Sequence, residues 1–532
     1  MDHAPTTPLI LLRLNGEQVL DVTYHATGRV TTHAPRYRRA VREFAHQIAA
    51  HPDALIAWYD TRLAPFLSPP HGWPALLAHP LEVLHLGCVQ GCDRMAAALG
   101  YVDFHSPFLL AGPTDHRFAT WLISPLAGIA TPAALRAVGF DRRWSSWVSA
   151  LFDCGYRGLA AGLCPLAEPG LLATPIPATV LRDLSQPLTT GQTGQLIGRL
   201  YGRKWLLFWP LASRRVPLRA IIAAWRMVAP PPLDRPALVA LAPPLVAPPP
   251  GAAVAVIVPT LGRPQHLATL LGDLAAQTVL PQQVWIIEQD PVGVGSALTD
   301  LVAAAWPFAI HHERVRWAGA CRARNRGLAA GNAPWVLLLD DDVRLLPAFL
   351  AYLLAVATTY NVAGVNGAVY LPGQDPATVA ESAFPRLWVG FGTCAALIAR
   401  QAVAAGGNFD LRLEGGYGED TEFGIRLRLA GATVLYAPGE PTLHLKAPVG
   451  GFRYSFPHPW HADPLPPRPS PTVFYAQQKH GTPAMQAGYH LFYTVKRLTA
   501  VRPYGWPAEG PRIRRQWRSA QRWAAWLAAQ EG

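Results

Sequence analysis

Between residues 253 and 343, patterns typical of buried strands alternate with patterns typical of helices, and this alternation constrains the fold most. The runs AVAVIVPT, QVWIIEQD and PWVLLLDDDV predict strands, because they are short, apolar and rich in β-branched residues. PQHLATLLGDLAAQ and CRARNRGLAAG predict the helices between them, the first starting after a proline and the second closed by Gly331. Strands separated by helices in this way form a parallel sheet with helices on its faces. The sequence therefore predicts an α/β, Rossmann-like domain with a mostly parallel sheet.

Polar residues follow each of the three predicted strands. Thr260 ends the first strand, Glu288 and Asp290 end the second, and a run of three aspartates ends the third. Ligands of such sheets bind beyond the carboxyl ends of the strands. Two carboxylates one residue apart, such as Asp340 and Asp342, suit Mg²⁺ or Mn²⁺ when a substrate diphosphate supplies further oxygen ligands. A solvated acidic turn would give the same local pattern, so the aspartates alone do not decide between the two.

A second acidic motif, EGGYGEDTEFGIRLRLAG, places glycines before an acid pair at the start of a predicted helix. The flexible backbone allows Glu419 and Asp420 to reach a cleft, where a carboxylate can act as general base on a hydroxyl. The alternative is that these acids only balance the helix dipole, and this reading accounts for Glu422 at least as well as a catalytic role does. His444 follows the short predicted strand TVLYAP and is a candidate metal ligand, although a lone histidine is more often structural.

Taken in this order and at these separations, the motifs resemble the family 2 inverting glycosyltransferases of GT-A fold. The resemblance covers roughly Ala253 to Lys446 and is carried by VAVIVPT, RNRGLAAG, PWVLLLDDDV, the GGNFD turn and GEDTEF. It implies an enzyme that moves a sugar from a nucleotide-diphosphate donor to a hydroxyl acceptor by one direct displacement. The acceptor would be a cell-surface glycan, a polysaccharide or a lipid-linked sugar of the cell envelope.

The resemblance also implies roles for individual residues. The residues expected to bind the donor are Pro259, Thr260, Glu288, Asp290, Arg324, Asn325, Asp340 and Asp341. The residues expected to hold Mg²⁺ or Mn²⁺ are Asp340, Asp342 and His444. Asp420 would be the general base with Glu419 beside it, and Trp388 would lie near the acceptor. The segment IIEQD departs from the family's commoner IIVDD, which leaves open whether Glu288 or Asp290 contacts the nucleotide.

Prolines cluster at 230–232 and 243–250 and predict an extended linker over residues 230–250. The linker would separate an N-terminal domain (1–229) from the catalytic domain (251–446) and a helical, aromatic and basic extension (447–532). The N-terminal segment from Leu135 shares with the segment from Val403 the order Gly, Phe-Asp, Gly-x-Arg, Ala-Gly and Pro-Gly. This order predicts an internal repeat, with chance similarity as the alternative.

The catalytic residues are not kept in the predicted repeat. Ala150 and Leu151 stand where the C-terminal copy has its acid pair, and the aspartate triplet is reduced to Asp60. Only 59 residues precede Asp60, too few for a complete nucleotide-binding half of the fold. The N-terminal domain is therefore predicted to be a truncated, inactive GT-A-like domain in a tandem arrangement.

Composition limits the partners and the location. The net charge of +12 suits nucleic acid, an anionic membrane surface or phosphorylated substrates, but no recognised motif supports nucleic acid. No run of ~20 apolar residues and no signal-peptide pattern is evident, and the six cysteines are too sparse for a disulfide scaffold. We therefore expect a cytoplasmic protein. The helix PRIRRQWRSAQRWAAWLAAQ fits either a peripheral contact at the inner face of the membrane or packing against the catalytic domain.

Two other function classes fit the same fold. One is a non-catalytic protein that binds a sugar nucleotide or a glycan. The other is a nucleotidyltransferase, which should carry a basic, glycine-rich loop after its first strand, and PTLGRPQH is a poor version of that loop. The intact DDD and GED motifs favour the glycosyltransferase. The sequence leaves the donor sugar, the linkage and the oligomeric state open.

Overall fold

The computed structural model describes residues 7–26, 29–87, 92–112, 115–212, 216–379, 384–388, 390–447, 454, 456–501 and 506–530. The chain divides into two compact units. The N-terminal unit comprises Met1–Pro243 and Thr482–Leu491, and the C-terminal unit comprises Pro244–Gly481 and Phe492–Gly532.

The C-terminal unit is built around one mixed sheet. Its strands are β9 (Val254–Thr260), β10 (Gln283–Gln289), β11 (Ala309–Val315), β12 (Trp335–Leu339), β13 (Val343–Arg344), β14 (Gly364–Tyr370), β15 (Arg386–Leu387), β16 (Ala395–Ala399) and β17 (Val434–His444). Its helices are α10 (Pro264–Ala275), α11 (Thr299–Ala303), α12 (Ala320–Ala330), α13 (Phe349–Thr359), α14 (Pro376–Val379), α15 (Arg400–Gly406), α16 (Glu419–Leu429), α17 (Pro471–His480) and α19 (Trp506–Ala528). Helix α18 (Pro483–Thr499) belongs in part to each unit.

The strands of this sheet run in the order β11-β10-β9-β12-β16-β14-β17-β13, and β15 pairs with β17. The first four strands are parallel, as the alternation of strands and helices predicts. Strand β16 runs antiparallel to both β12 and β14, which makes the sheet mixed beyond this point. Strand β11 was not foreseen, because its sequence AIHHERV is largely polar and forms an exposed edge.

The central strands carry the core of the C-terminal unit. Val254 to Val258 in β9 and Val336 to Leu339 in β12 are buried on both faces, as strands covered by helices on each side must be. Gly327 in α12 lies so close to Ile257 that an added Cβ would come within 2.5 Å of its side chain. This contact brings α12 close against β9, with the start of the helix near the carboxyl end of the strand.

The N-terminal unit has its own eight-stranded sheet. Its strands are β1 (Leu9–Asn15), β2 (Gln18–Ala26), β3 (Arg29–His33), β4 (Leu55–Asp60), β5 (Glu82–His85), β6 (Phe118–Ala119), β7 (Ala127–Ala130) and β8 (Cys164–Ala167). Its helices are α1 (Ala40–Ala50), α2 (Cys92–Ala96), α3 (Pro132–Val138), α4 (Trp147–Ala160), α5 (Ala178–Leu184), α6 (Thr190–Leu200), α7 (Arg203–Ala212), α8 (Leu218–Arg226) and α9 (Arg235–Leu241).

The two sheets have corresponding strand orders. The order β3-β2-β1-β4-β7-β5-β8 matches the C-terminal order β11-β10-β9-β12-β16-β14-β17 position by position, but the last strands differ, since β6 lies between β5 and β7 in sequence whereas β13 directly follows β12. The directions also agree from β1 onward, since β1 and β4 are parallel, β7 is antiparallel to β4 and β5, and β5 and β8 are parallel. The first three strands differ. Strands β1, β2 and β3 form an antiparallel meander, whereas β9, β10 and β11 are parallel and need crossover connections.

The proline-rich stretch 230–250 is not extended throughout, as the linker prediction had it. Helix α9 lies within it and begins where the Asp234 carboxylate accepts a hydrogen bond from the Ala237 N–H. The Asp234 N–H also donates to the Ala137 carbonyl, at 2.8 Å. Prolines suit the first turn of a helix as well as an extended chain, which is why composition alone suggested a linker here.

The tryptophan- and arginine-rich helix of the extension packs against other helices of its own unit. In α19, Trp517 is buried and its ring lies 4.8 Å from that of Phe474 in α17. Arg514, Arg515 and Arg518 lie on the exposed face of α19. The helix thus packs within the extension, whereas Trp526 is exposed, so its contact with a membrane stays a prediction. None of the described helices is long and apolar enough to cross a membrane.

Candidate active site

Three strands end at one edge of the C-terminal sheet and bring polar side chains together there. Thr260 closes β9, the aspartate triplet follows β12, and His444 closes β17. The short strand β13 pairs with the end of β17 in a register that places Val343 opposite His444. The Leu445 N–H donates to the Asp342 carbonyl at 2.9 Å, which holds His444 beside the triplet although 100 residues separate them in sequence.

Asp340, Asp342 and His444 form the group of possible metal ligands found among the described residues. One ligand atom from each lies within 4.8 Å of the others. The Asp342 carboxylate lies 3.3 Å from His444 Nε2 and accepts a hydrogen bond from the Ala447 N–H at 2.8 Å. Burial opposes ionisation of Asp342, but His444 and the Ala447 N–H outweigh it and hold the pKa of this carboxyl well below its usual range. Two carboxylates and an imidazole fit a divalent cation such as Mn²⁺ or Mg²⁺.

Asp341, the middle residue of the triplet, is buried and joins two strand ends. It accepts hydrogen bonds from the Thr260 hydroxyl at 2.7 Å and from Arg263 Nη1 at 2.6 Å. Burial raises the pKa of Asp341 to about 6, although Arg263 acts in the opposite direction. Both oxygens are therefore engaged by protein groups, which makes Asp341 and Thr260 a structural pair at the floor of the site.

Arg324 enters the site from α12. Its guanidinium is buried and donates from Nη2 to the Asp340 carboxylate at 2.9 Å. Its Nε and Nη1 atoms have no hydrogen-bond partner among the described residues. A buried cation with two unused donors is costly, because each unpaired donor loses its water without compensation. Arg324 is thus poised to bind an anion.

Glu419 and Asp420 begin α16. Gly418 has a positive φ of 104°, a conformation that glycine adopts freely, and it turns the chain into the helix at this point. Asp420 accepts a hydrogen bond from the Thr393 hydroxyl at 3.0 Å. Burial, reinforced by the neighbouring Asp420 charge, raises the pKa of Glu419 to about 7. Burial also raises the pKa of Asp420, and Arg324 opposes that rise.

These groups surround a cavity of about 170 Å³. It is lined by Pro259, Leu261, Arg263, Gln289, Gly319, Ala320, Cys321, Arg324, Asp340, Asp341, Asp342, Glu414, Gly415, Gly416, Glu419, His444, Lys446 and Phe456. The cavity thus brings together the triplet, Arg324, His444 and the first acid of the GED motif, four features that the sequence had named separately.

The acids at the end of β10 lie outside the cavity lining. Glu288 lies 2.8 Å from His312 Nε2, and Asp290 pairs with Arg314 at 2.8 Å. Gln289, between them, lines the cavity and accepts a hydrogen bond from the Gly319 N–H. Successive residues of a strand face opposite sides, so a strand that turns Gln289 inward turns both acids away.

Four other predicted residues also lie outside the lining: Thr260, Asn325, Trp388 and Asp420. The Asn325 side chain makes two hydrogen bonds to the backbone of Phe409, each 2.8 Å long, and so fixes the GGNFD turn on α12. Trp388 stacks on Tyr436, with ring centroids 4.8 Å apart. Asn325 therefore positions other residues, and Trp388 lies against β17.

The structure adds residues that sequence reasoning missed. Arg263, from the PTLGRPQH loop, bonds Asp341 and lies 3.5 Å from Asp342. The Glu414 carboxylate accepts hydrogen bonds from the Cys321 and Arg322 N–H groups and so caps the start of α12. The position of Arg263 directly after the first strand could have identified it as a site residue. No local sequence pattern identifies Glu414.

The corresponding edge of the N-terminal unit lacks these groups. Asp60 follows β4 but is paired with Arg62 at 2.7 Å and with the Gly16 N–H at 2.9 Å. Ala150 and Leu151, which align with the acid pair, are fully buried in α4. The residues described in this unit contain no group of three metal-binding side chains.

Comparison with known proteins identifies the family that the C-terminal unit resembles. Residues 255–393 match the family Glycosyl transferase family 2. A relative in Rhizobium meliloti (strain 1021), the succinoglycan biosynthesis protein ExoM, is 31% identical over 204 residues. The match covers 36% of this chain and spans 65% of the length of ExoM.

Among solved structures, GalNAc-T7 with UDP, GalNAc and Mn²⁺ aligns with a TM-score of 0.37 and 12% identity, over 47% of this chain and 52% of that one. The Staphylococcus aureus protein TarS, residues 1–349 with UDP-GlcNAc, aligns with a TM-score of 0.37 and 14% identity. That alignment covers 51% of this chain and 81% of the TarS fragment.

Proposed function

We propose that this chain, whose residues 255–393 form a family 2 glycosyltransferase domain, transfers a sugar from a nucleotide-diphosphate donor to a hydroxyl acceptor. The observation that carries the proposal is the cavity lined by a metal-binding triad, an arginine with unused donors and Glu419, the first acid of the GED motif. Glycosyl transfer from a nucleotide diphosphate needs these three kinds of group, because the leaving group is an anion and the attacking hydroxyl must lose a proton.

The diphosphate would lie between Arg324 and the triad. A divalent cation held by Asp340, Asp342 and His444 would neutralise the charge that develops on the leaving diphosphate. Arg324 would donate Nε and Nη1 to phosphate oxygens, which satisfies two donors that the protein leaves without partners. The Arg324–Asp340 pair keeps the guanidinium pointed at this position.

Asp420 would remove the proton of the acceptor hydroxyl as the hydroxyl attacks the anomeric carbon. Its hydrogen bond from Thr393 fixes one oxygen, and burial keeps its pKa raised, as a base that works near neutral pH requires. Glu419 lines the cavity beside it and would help to place the acceptor. One displacement on the face opposite the diphosphate inverts the anomeric centre.

ExoM, by its name, serves succinoglycan biosynthesis, and we propose an acceptor of the same kind, a growing polysaccharide or lipid-linked glycan.

Incubation with a panel of nucleotide-diphosphate sugars tests the proposal. We expect slow hydrolysis of one donor, and transfer when its acceptor is added, with the product in the inverted configuration by NMR. Excess chelator should abolish both reactions. Mn²⁺ should restore them better than Mg²⁺, because imidazole ligands such as His444 suit transition metals better than Mg²⁺.

Full turnover in chelator would contradict the metal site, and a retained anomeric configuration would contradict direct displacement. If the panel shows tight donor binding by calorimetry but neither hydrolysis nor transfer with any acceptor, the chain is a binding protein. Release of pyrophosphate from a nucleoside triphosphate and a sugar phosphate would identify a nucleotidyltransferase.

Transfer is expected to rise with pH through about 7. Glu419 has a pKa of about 7 and Asp420 is raised as well, so below this range the acid pair holds a proton that blocks the base. Glu419→Gln removes a negative charge beside Asp420, lowers the pKa of Asp420 and should move the rising limb to lower pH. The pH profile of kcat measures this shift. If the rising limb of the kcat profile stayed at the same pH in Glu419→Gln, the ionisation of Asp420 would not be what controls it.

A further inference from the structure

Helices α7 and α8 of the N-terminal unit expose large apolar side chains. The exposed fractions are 68% for Leu207, 71% for Leu218, 48% for Ile222 and 44% for Trp225. In α8 the exposed residues follow a helical spacing that places Leu218, Ile222 and Trp225 on one face. Soluble surfaces rarely gather several exposed large apolar residues without a partner to cover them.

Basic residues surround these apolar side chains. The members of this surface, called the α7–α8 patch below, are the exposed residues Arg203, Lys204, Leu207, Leu218, Arg219, Ile222, Trp225 and Arg226. The Arg203 guanidinium lies 5.5 Å from the centre of the Trp225 ring, which joins the two helices at the surface. The four basic residues form no ion pair with any described residue, and the sequence contains no Asp or Glu between Asp183 and Asp234.

The inner face of α8 is firmly fixed, so the patch cannot turn inward without breaking the core. Ala220 and Ala224 are buried, and Gly198 of α6 leaves room for the Ala224 carbonyl, which an added Cβ would approach to 2.9 Å. The buried Arg199 donates to the Met227 carbonyl at the end of α8 and pairs with Asp141 at 2.9 Å. These contacts set the orientation in which Leu218, Ile222 and Trp225 face outward.

We propose that the α7–α8 patch binds the surface of an anionic phospholipid bilayer. Aliphatic side chains that enter the boundary between headgroups and acyl chains, a tryptophan at the same level and cations that meet lipid phosphates are the features of helices that lie in a membrane interface. The inference is independent of the transferase proposal.

Other occupants explain the patch less well. A nucleic acid or an acidic polysaccharide would pair with the cations but gain nothing from exposed leucine and isoleucine. A protein interface would bury the apolar residues but is normally depleted of lysine at its core.

Co-sedimentation of the full chain with vesicles tests the proposal. We expect binding to vesicles of phosphatidylcholine mixed with phosphatidylglycerol, weak binding to pure phosphatidylcholine, and a loss of binding as salt is raised. Lys204→Gln, Arg219→Gln and Arg226→Gln together should lower partitioning about 100-fold, at about fivefold for each basic residue. Leu218→Ser, Ile222→Ser and Trp225→Ser together should lower it at least about tenfold.

A matched control variant removes the same number of positive charges from a surface outside the α7–α8 patch. Arg514→Gln, Arg515→Gln and Arg518→Gln take three exposed cations from α19, where no exposed leucine, isoleucine or tryptophan lies within one turn of them. This variant should keep nearly all binding. Circular dichroism and thermal unfolding verify that each variant is folded, and donor hydrolysis, which the patch does not touch, should be unchanged.

Three results would overturn the proposal. The first is that wild-type protein binds neither kind of vesicle. The second is that the control variant loses as much binding as the charge variant. The third is that the apolar substitutions dissociate an oligomer, as seen by light scattering, while vesicle binding persists. The last result would assign the patch to an interface between protein chains.

Discussion

Replacing Asp342 with asparagine is expected to lower sugar transfer by at least about 10³-fold, since several kcal/mol of charge stabilisation at the leaving group depend on the bound cation. Asp342 is one of the three proposed ligands, and its oxygens are already oriented by His444 and by the Ala447 N–H. The variant keeps the size of the side chain but loses the charge. The apparent cation affinity, read from the Mn²⁺ dependence of donor hydrolysis, should fall together with donor affinity.

Two companion variants make this result specific. His444→Ala should also weaken the cation affinity, but less, because two carboxylates remain. Asp300→Asn, at an exposed position in α11, is the matched control and should behave as wild type. If Asp342→Asn kept its cation affinity and lost only activity, the residue would act in some way other than as a ligand.

Asp420→Asn is expected to lower transfer by about 10²–10⁴-fold, the usual loss when a general base is removed. Donor affinity should stay nearly intact, because in the proposed mechanism the diphosphate is bound by Arg324 and the cation, and Asp420 contacts only the acceptor. Measuring the donor Kd by calorimetry alongside kcat separates the two effects. Asp342→Asn should change both quantities, whereas Asp420→Asn should change kcat alone.

Two neighbours of Asp420 serve as references. Glu419→Gln should cost less activity than Asp420→Asn while shifting the pH profile. Thr393→Val removes the hydroxyl that fixes one Asp420 oxygen and should lower kcat modestly without changing the donor Kd. Near-normal turnover in Asp420→Asn combined with collapse in Glu419→Gln would move the role of base to Glu419.

The elements nearest the site were the most predictable from sequence. The β9, β10 and β12 strands, the α10 and α12 helices and the family 2 domain are confirmed, because uniformly apolar strands and capped helices have strong local signals. The DDD and GED motifs were recognisable for the same reason, since acids at the ends of such elements are uncommon unless they are used. Their individual roles remain predictions.

Features set by contacts far apart in the chain were not predictable. Nothing local in AIHHERV indicates an edge strand, and β11 forms because the neighbouring strand supplies its hydrogen bonds. Glu414 reaches the start of α12 only through the folded turn that Asn325 holds. The direction of the side chains in IIEQD depends on the register of β10, which a single sequence does not specify, and so Gln289 was overlooked.

The tight turn between β1 and β2 limits how the N-terminal half could evolve donor binding. There, Gly16 and Glu17 alone join two strands whose C-terminal counterparts, β9 and β10, are separated by α10. An acid can be gained through a single codon change, but a crossover helix can be gained only by inserting a whole segment in frame, with β2 reversing its direction. Point mutations alone therefore cannot give this half the donor-binding crossover of the C-terminal half. We predict that selection on this half acts on its stability and its surface, since its eight-stranded sheet provides a scaffold without that crossover.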